Sequence, residues 1–151
     1  MEYSSGIILY RKNSDNVFEF FVCTPDGPMW INRELWNFPK GHLEINESPF
    51  KAAIREFEEE TSVKLNDEES LYKFHGIIKQ NKHKRVFVYS KKYENEDLSN
   101  CYSNECITIY KEKLYVHNEI KDYRWMTFEE LENKGMKCYL DTFKEIINSN
   151  D

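Results

Sequence analysis

The sequence predicts an α/β fold, and three observations lead to this class. Apolar runs bounded by turn residues indicate several strands, the first over residues 4–11. Apolar residues that recur every three to four positions indicate helices in the middle and at the end of the chain. The 151 residues are 40% hydrophobic and 15% aromatic, which is enough to bury a core. We therefore expect a single α/β domain over residues 1–151.

The chain is predicted to begin with a β-hairpin followed by a loop. Residues 4–11 and 17–23 have strand composition, and the polar residues 13–16 between them favour a tight turn. Residues 24–34 contain two prolines and a glycine and therefore form a loop. Its Trp30 has two interpretations, a stacking surface for a nucleobase or a plug at the edge of the domain.

A short extended segment is predicted to lead from this loop to the first helix. Proline at position 39 favours extended backbone, and Gly41 lets the main chain come close to a bound ion or phosphate. Lys40 between them has two interpretations, a phosphate contact or an ordinary surface lysine.

The first helix is predicted from its cap and its apolar stripe. Ser48 is a favoured N-cap residue, and proline suits the first helical position. The apolar stripe follows at i, i+3, i+4 and i+7, and consists of Phe50, Ala53, Ile54 and Phe57.

Acidic residues crowd one flank of this helix. Glu56 and Glu60 are one turn apart and Glu59 lies beside them, so their like charges destabilise the helix unless a partner is present. One interpretation is a solvated acidic face. The other is a divalent cation with oxygen ligands, for which Mg²⁺ is the natural candidate. Arg55 can pair with a neighbouring carboxylate and keep it ionised.

The second half of the chain is predicted to alternate strands and helices. We expect strands over residues 71–80, 85–90, 106–110 and 123–126, a mobile acidic excursion over 91–105, and helices over 128–134 and 139–148. Thr127 and Glu130 form a capping box for the first of these helices. Lys84 lies in a basic hairpin tip, which either holds a phosphate tail or is simply solvated.

Charge and composition exclude several classes of partner. The net charge is −6 without a basic block, so a long nucleic acid is an unexpected partner. The absence of a signal-peptide pattern and of a long apolar run leads us to expect a cytoplasmic protein that does not enter a membrane. Cys101, Cys106 and His117 fit no standard zinc spacing, and free thiols are the preferred interpretation.

The segment from Gly41 to Val63 resembles the signature of the Nudix hydrolases. Seven positions agree at fixed spacing, namely Gly41, Glu47, Arg55, Glu56, Glu59, Glu60 and Val63. Ser62 departs from the pattern, because the family usually has glycine there. A serine with positive φ costs about 1 kcal/mol, which affects stability rather than chemistry.

This resemblance implies a Nudix fold, an α/β/α sandwich around a mixed sheet, and hydrolysis of a nucleoside diphosphate linked to another group. In several branches of the Nudix proteins a late glutamate precedes a strand tryptophan by six residues, and by this resemblance Glu119 is the distal carboxylate. The implied metal set for Mg²⁺, which Mn²⁺ can replace, is Gly41, Glu56, Glu59, Glu60 and Glu119. The implied catalytic residues are Arg55, Glu56, Glu59 and Glu119, with Glu47 as an orienting group and with Lys40 and Lys84 as candidate phosphate contacts.

Within the family, the chain is similar to diadenosine tetraphosphate hydrolases and to NTP pyrophosphohydrolases. The expected partner is therefore a small nucleotide, and the protein is expected to be a monomer or homodimer. A nucleotide-binding module without activity and an mRNA-decapping hydrolase are the alternatives. The first is disfavoured because all the signature glutamates are present, and the second because no basic stripe offers a path for RNA.

Overall fold

The computed structural model describes residues 1–151 and contains eight strands and three α-helices. The strands are β1 (Glu2–Lys12), β2 (Phe18–Pro25), β3 (Lys40–His42), β4 (Lys73–Asn81), β5 (Lys84–Lys92), β6 (Glu105–Tyr110), β7 (Lys113–Asn118) and β8 (Ile120–Thr127). The helices are α1 (Pro49–Thr61), α2 (Phe128–Lys134) and α3 (Leu140–Asn150). No helix is both long enough and apolar enough to cross a membrane.

Six of the strands form a mixed sheet in the order β4-β5-β1-β2-β8, and β3 also pairs with β1. The β1–β5 pair is parallel and the other pairs are antiparallel. Strand β1 has two partners on one side, since its first half pairs with β3 and its last three residues pair with β2. The predicted hairpin of β1 and β2 is confirmed, with the Asn13 side chain accepting bonds from the backbone of the turn.

Helices cover both faces of the sheet, which confirms the predicted α/β/α sandwich. Alternating residues of β1 point to opposite sides, so that Ile7 and Leu9 pack towards α1 whereas Ile8 packs towards α2 and α3. Phe57 of α1 and Phe143 of α3 are almost fully buried in these two cores. The sheet is thereby fixed as the middle layer.

Helix α1 forms as its sequence predicts. Its first turn is capped by Ser48, whose hydroxyl accepts a hydrogen bond from the backbone N–H of Lys51 at 3.2 Å, and Pro49 occupies the first position. The predicted apolar stripe is buried. The helix ends at Ser62, which has a φ of 65° in the left-handed region.

Two strands were absent from the sequence prediction. Strand β3 is only three residues long, and its polar and glycine residues carry no alternation of apolar and polar positions. Apolar and polar residues alternate along strand β7 as in other strands, but its apolar residues face solvent together with those of β6. The two-stranded ribbon of β6 and β7 therefore has an exposed apolar face formed by Ile107, Ile109, Leu114 and Val116.

The segment between β5 and β6, predicted to be a mobile excursion, is anchored at its start by an ion pair. The Lys91 side chain is 4% exposed, and its ammonium lies 2.6 Å from a carboxylate oxygen of Glu96. The same ammonium donates to the backbone carbonyl of Lys92. The hydroxyl of Tyr93 donates to the carbonyl of Glu96 and closes the turn. A buried charge with several oxygen partners holds this segment against the sheet.

Replacing Lys91 with methionine is expected to lower the free energy of unfolding by about 2–4 kcal/mol, because the Glu96 carboxylate keeps its burial and loses its partner. Urea denaturation measures the change. Lys92→Met is the matched control, because Lys92 is exposed and adjacent, and is expected to change stability by less than about 0.5 kcal/mol. Equal effects of the two substitutions would contradict a special role for the ion pair.

Candidate functional site

Arg55 joins the acidic flank of α1 to the turn that precedes the helix. Its guanidinium holds Glu47 with two hydrogen bonds, from Nε at 2.8 Å and from Nη2 at 2.9 Å. Nη2 also donates to the backbone carbonyl of His42 at 2.8 Å. This paired geometry holds the pKa of Glu47 below its usual range. Arg55 and Glu47 thus fix the start of the signature segment relative to β3.

The same arginine also reaches two glutamates of its own helix. Its Nη1 donates to Glu56 at 2.8 Å and to Glu59 at 3.0 Å. The Glu56 side chain is 12% exposed whereas that of Glu59 is 44% exposed, so only Glu56 is turned into the protein. Burial nevertheless raises the pKa of Glu56, and the arginine only partly offsets this effect.

The carboxylate of Glu56 packs directly on the backbone of Gly41. A Cβ atom at position 41 would lie 2.0 Å from one carboxylate oxygen of Glu56 and 2.6 Å from the other. Any side chain there would displace Glu56. The glycine is therefore needed for close approach between β3 and α1, and its main chain lies beside a carboxylate.

Glu60 lies one turn further along the helix, at the edge of a cavity. Its carboxylate accepts a weak hydrogen bond from the Cys23 thiol, with a sulfur to oxygen distance of 3.8 Å. Burial, together with the negative charges of Glu56 and Glu119, raises the pKa of Glu60 to about 8. The hydroxyl of Tyr123 donates to the backbone carbonyl of Glu60 and holds this turn of the helix.

Glu119 is brought to the same side of the molecule by the link between β7 and β8. Its N–H donates to the carbonyl of Asn104 at 3.0 Å, and its carbonyl accepts from the N–H of Asp26 at 2.9 Å. Its charge makes a small contribution to the raised pKa values of both Glu56 and Glu60. These backbone bonds place Glu119 on the side of the molecule that carries Glu56 and Glu60.

The donor chemistry of this cluster fits a hard divalent cation. Glu56 and Glu60 lie one turn apart on α1, the charge of Glu119 adds a smaller effect on both, and Arg55 directly contacts only Glu56 of these three. No three His, Cys, Asp or Glu side chains are already arranged around one position that could hold a metal ion. The carboxylates therefore form an unbalanced anionic group that a cation would draw together.

Cys106 and His117 contact each other on the β6–β7 ribbon, and Cys101 packs elsewhere, against the core beneath α1.

Lys40 and Lys84 lie side by side next to the acidic cluster. Lys40 is in β3 and Lys84 begins β5, and these strands flank the first half of β1. Burial, together with the charge of Lys84, lowers the pKa of Lys40 to about 8. Strand β3 can approach β1 closely because Gly6 of β1 faces Lys40 of β3. A Cβ atom at Gly6 would lie 2.6 Å from the Cβ of Lys40. The nearby charge of Glu60 offsets the lowering of the Lys40 pKa only in part, and two adjacent ammonium groups are suited to a phosphate.

A cavity of about 260 Å³ opens beside Glu60 and Lys40. Trp30 forms part of its wall, which favours the interpretation of Trp30 as a ligand contact over that of a plug. One face of the indole is covered by Arg33, whose guanidinium carbon lies 4.7 Å from the ring centre. Other lining residues, among them Cys23, Gln80 and Met136, could not be predicted from the sequence, because no local pattern links them before the chain folds.

Comparisons with known proteins agree with this architecture. An RNA pyrophosphohydrolase from Zymomonas mobilis is 38% identical over 63 residues, which are 42% of this chain and 37% of that protein. A C. elegans Ap4A hydrolase in a binary complex superposes with a TM-score of 0.61 at 17% identity, covering 99% of each chain. The NUDIX domain of Shewanella oneidensis NrtR, complexed with ADP ribose, gives 0.67 at 11% identity and covers 100% of this chain and 89% of that one.

The match to a family model covers nearly the whole chain. The model of the NUDIX domain matches residues 6–143, from the middle of β1 to α3. This range includes the signature segment, the cavity residues and Glu119. The chain belongs to the Nudix family.

Proposed function

We propose that this protein is a metal-dependent hydrolase that cleaves a phosphoanhydride bond in a nucleotide, with dinucleoside polyphosphates and nucleoside triphosphates as the substrate class. One observation carries the proposal. Glu60 and Lys40 both line the cavity, with the carboxylate of Glu56 near Glu60 and the ammonium of Lys84 beside Lys40. Carboxylates that need a cation and ammonium groups that need an anion are thus adjacent, and a metal-bound polyphosphate satisfies both.

Nudix proteins generally use divalent metals. We assign the ligands here to Glu56, Glu59, Glu60, Glu119 and the backbone carbonyl of Gly41, with Mg²⁺ as the ion and Mn²⁺ as a substitute. Oxygen ligands of this kind suit both ions. A bound metal supplies charge neutralisation at the diphosphate and an acidified water molecule.

The roles of the protein side chains follow from their contacts. Lys40 and Lys84 would bind the phosphate chain beside the carboxylates. Glu56 or Glu119 would position the attacking water or accept its proton. Arg55 does not line the cavity beside Glu60 and instead fixes the rotamers of Glu47, Glu56 and Glu59, so its contribution to catalysis is orientation.

The cavity volume limits which part of the substrate is enclosed. About 260 Å³ lies below the range of roughly 300–1,000 Å³ that encloses a drug-sized ligand. A single nucleoside would enter it, with Trp30 as an aromatic contact, and the rest of the substrate would remain outside. The cavity would therefore accept the nucleoside end of a dinucleoside polyphosphate as readily as that of a nucleoside triphosphate.

A second candidate substrate is the triphosphate end of an RNA. It is favoured by the similarity over 63 residues to the Zymomonas mobilis RNA pyrophosphohydrolase. The net charge of −6 disfavours extended contact with a polyanion. A panel of Ap4A, ATP and a 5′-triphosphorylated oligonucleotide, with products identified by mass, discriminates among these substrates.

The cytoplasmic location and the monomeric or homodimeric state stay predictions from the sequence.

Glu60→Gln is expected to lower kcat for the preferred nucleotide by at least about 10²-fold in Mg²⁺, because it removes a carboxylate from the proposed metal group. Nucleotide release by the purified variant measures the effect. Glu58→Gln is the matched control, since Glu58 lies on the same helix but is exposed on another side. An active Glu60→Gln protein, or equal losses in both variants, would refute the assignment.

The raised pKa of Glu60 predicts how the metal-free protein responds to pH. With a pKa of about 8 in the folded state against an ordinary value of 4.5, the folded protein retains a proton that the unfolded chain has lost. The contribution of Glu60 to the free energy of unfolding is therefore fully present below about pH 4.5, and it is lost as the pH rises to about 8. Thermal denaturation in EDTA should show this decline in the native protein and a flatter profile in Glu60→Gln. Added Mg²⁺ should stabilise the native protein more at pH 8.5 than at pH 5.5.

Lys84→Met is expected to raise KM by about tenfold, equivalent to roughly 1.4 kcal/mol, through loss of a phosphate contact. The kcat should change less, because the substitution removes a binding contact and leaves the proposed metal ligands in place. Lys82→Met is the control, as Lys82 is exposed at the tip of the same hairpin. Steady-state kinetics at fixed ionic strength measure both, and an unchanged KM for Lys84→Met would remove this lysine from the binding site.

A further inference from the structure

Ser62 stands at the position where the family signature usually has glycine, and its backbone has the conformation that favours glycine. Its φ is 65° and its ψ is 16°, in the left-handed region. A side chain there carries a conformational cost that glycine avoids. The structure shows what the side chain contributes in exchange.

The hydroxyl of Ser62 bonds the end of α1 to the segment that precedes β6. Its Oγ donates to the backbone carbonyl of Tyr102 at 2.9 Å. Beside it, the N–H of Tyr102 donates to the carbonyl of Thr61 at 3.2 Å. Tyr102 is thus held on both its backbone groups, by one side-chain bond and one main-chain bond from the last residues of the helix.

The two residues after Tyr102 hold the backbone at Glu119. The Oγ of Ser103, a residue that is 7% exposed, accepts from the N–H of Ile120 at 3.0 Å. The carbonyl of Asn104 accepts from the N–H of Glu119 at 3.0 Å. Residues 102–104, which we call the bridge segment, therefore connect the helix that carries Glu56 and Glu60 to the strand link that carries Glu119.

We propose that Ser62 is a positioning residue for the distal carboxylate: its hydroxyl fixes the bridge segment, which in turn sets the place of Glu119 relative to the glutamates of α1. This inference rests on the proposed function, because it concerns the geometry of the same carboxylate group. It gives the serine a role that its departure from the signature leaves open. The hydroxyl acts through the bridge segment and touches no reacting atom.

The strain and the hydroxyl can be separated by substitution. Ser62→Gly removes both the strain and the hydroxyl, whereas Ser62→Ala removes only the hydroxyl. A purely structural serine predicts a more stable glycine variant with unchanged kinetics. A positioning serine predicts that both variants lose activity, although the glycine variant melts at the higher temperature.

The kinetic test compares these variants with the native protein. We expect kcat to fall by about three- to tenfold in both Ser62→Gly and Ser62→Ala, with KM nearly unchanged, since one exposed hydrogen bond is lost and the Thr61 bond remains. Ser62→Asn should recover part of the loss, because asparagine tolerates positive φ and its amide can donate to Tyr102. Ser99→Ala is the control, since its hydroxyl bonds only within its own loop, to Asp97.

A double-mutant cycle with Glu119→Gln tests whether the effect passes through the distal carboxylate. In the Glu119→Gln background, Ser62→Gly should change kcat by less than about twofold, because there is no carboxylate left to position. Full additivity of the two substitutions, or a native kcat in Ser62→Gly, would overturn the proposal.

Amide hydrogen exchange provides a readout without activity or metal. Ser62→Gly should speed exchange of the Tyr102 and Glu119 N–H groups by about three- to tenfold, while amides in the middle of β1 remain unchanged. Unchanged exchange at both amides would overturn the proposed connection. Absence of nucleotide hydrolysis by the native protein would instead refute the proposed function, and the exchange result would still decide whether Ser62 holds Glu119.

Discussion

Crowding of carboxylates at the end of α1 is the physical constraint on which the rest of this site depends. A helix brings Glu56 and Glu60 onto one flank, and the fold then partly buries both beside the sheet. Arg55 balances the outer part of this group by pairing with Glu47, Glu56 and Glu59. Glu60 receives the Cys23 thiol, a backbone hydrogen bond from Lys40 and the charge of the Lys40 side chain, and these contacts do not offset its burial, so its pKa stays raised.

Strand β1 explains why the opposite charges meet at this place. Its first half lies between β3 and β5, so Gly41 and Lys40 arrive on one side and Lys84 on the other. Glycine at positions 6 and 41 removes the two side chains that would separate these elements. Strand pairing thus places Gly41, Lys40 and Lys84 around β1, and the cavity forms beside Lys40 and the Glu60 side chain of α1.

Local patterns predicted the parts of the fold that are local in origin. The cap, stripe and length of α1, the first hairpin and the capping box at Thr127 followed from short-range periodicity and turn chemistry. Strands β3 and β7 did not, because one is three polar residues long and the other exposes its apolar side. The approach of Lys40 to Lys84 and the bond from Ser62 to Tyr102 join distant positions, and no single segment records them. Glu119 was found through the resemblance to a family and not through its own surroundings in the sequence.

The central claim is that a divalent cation belongs among these carboxylates. A crystal structure of the protein grown with Mn²⁺, with anomalous data collected at the manganese edge, tests it most directly. The account predicts an anomalous peak bounded by the side chains of Glu56 and Glu60 and the carbonyl of Gly41, at about 2.0–2.3 Å from each oxygen. A map without a peak there, with both carboxylates turned to solvent, would contradict the account.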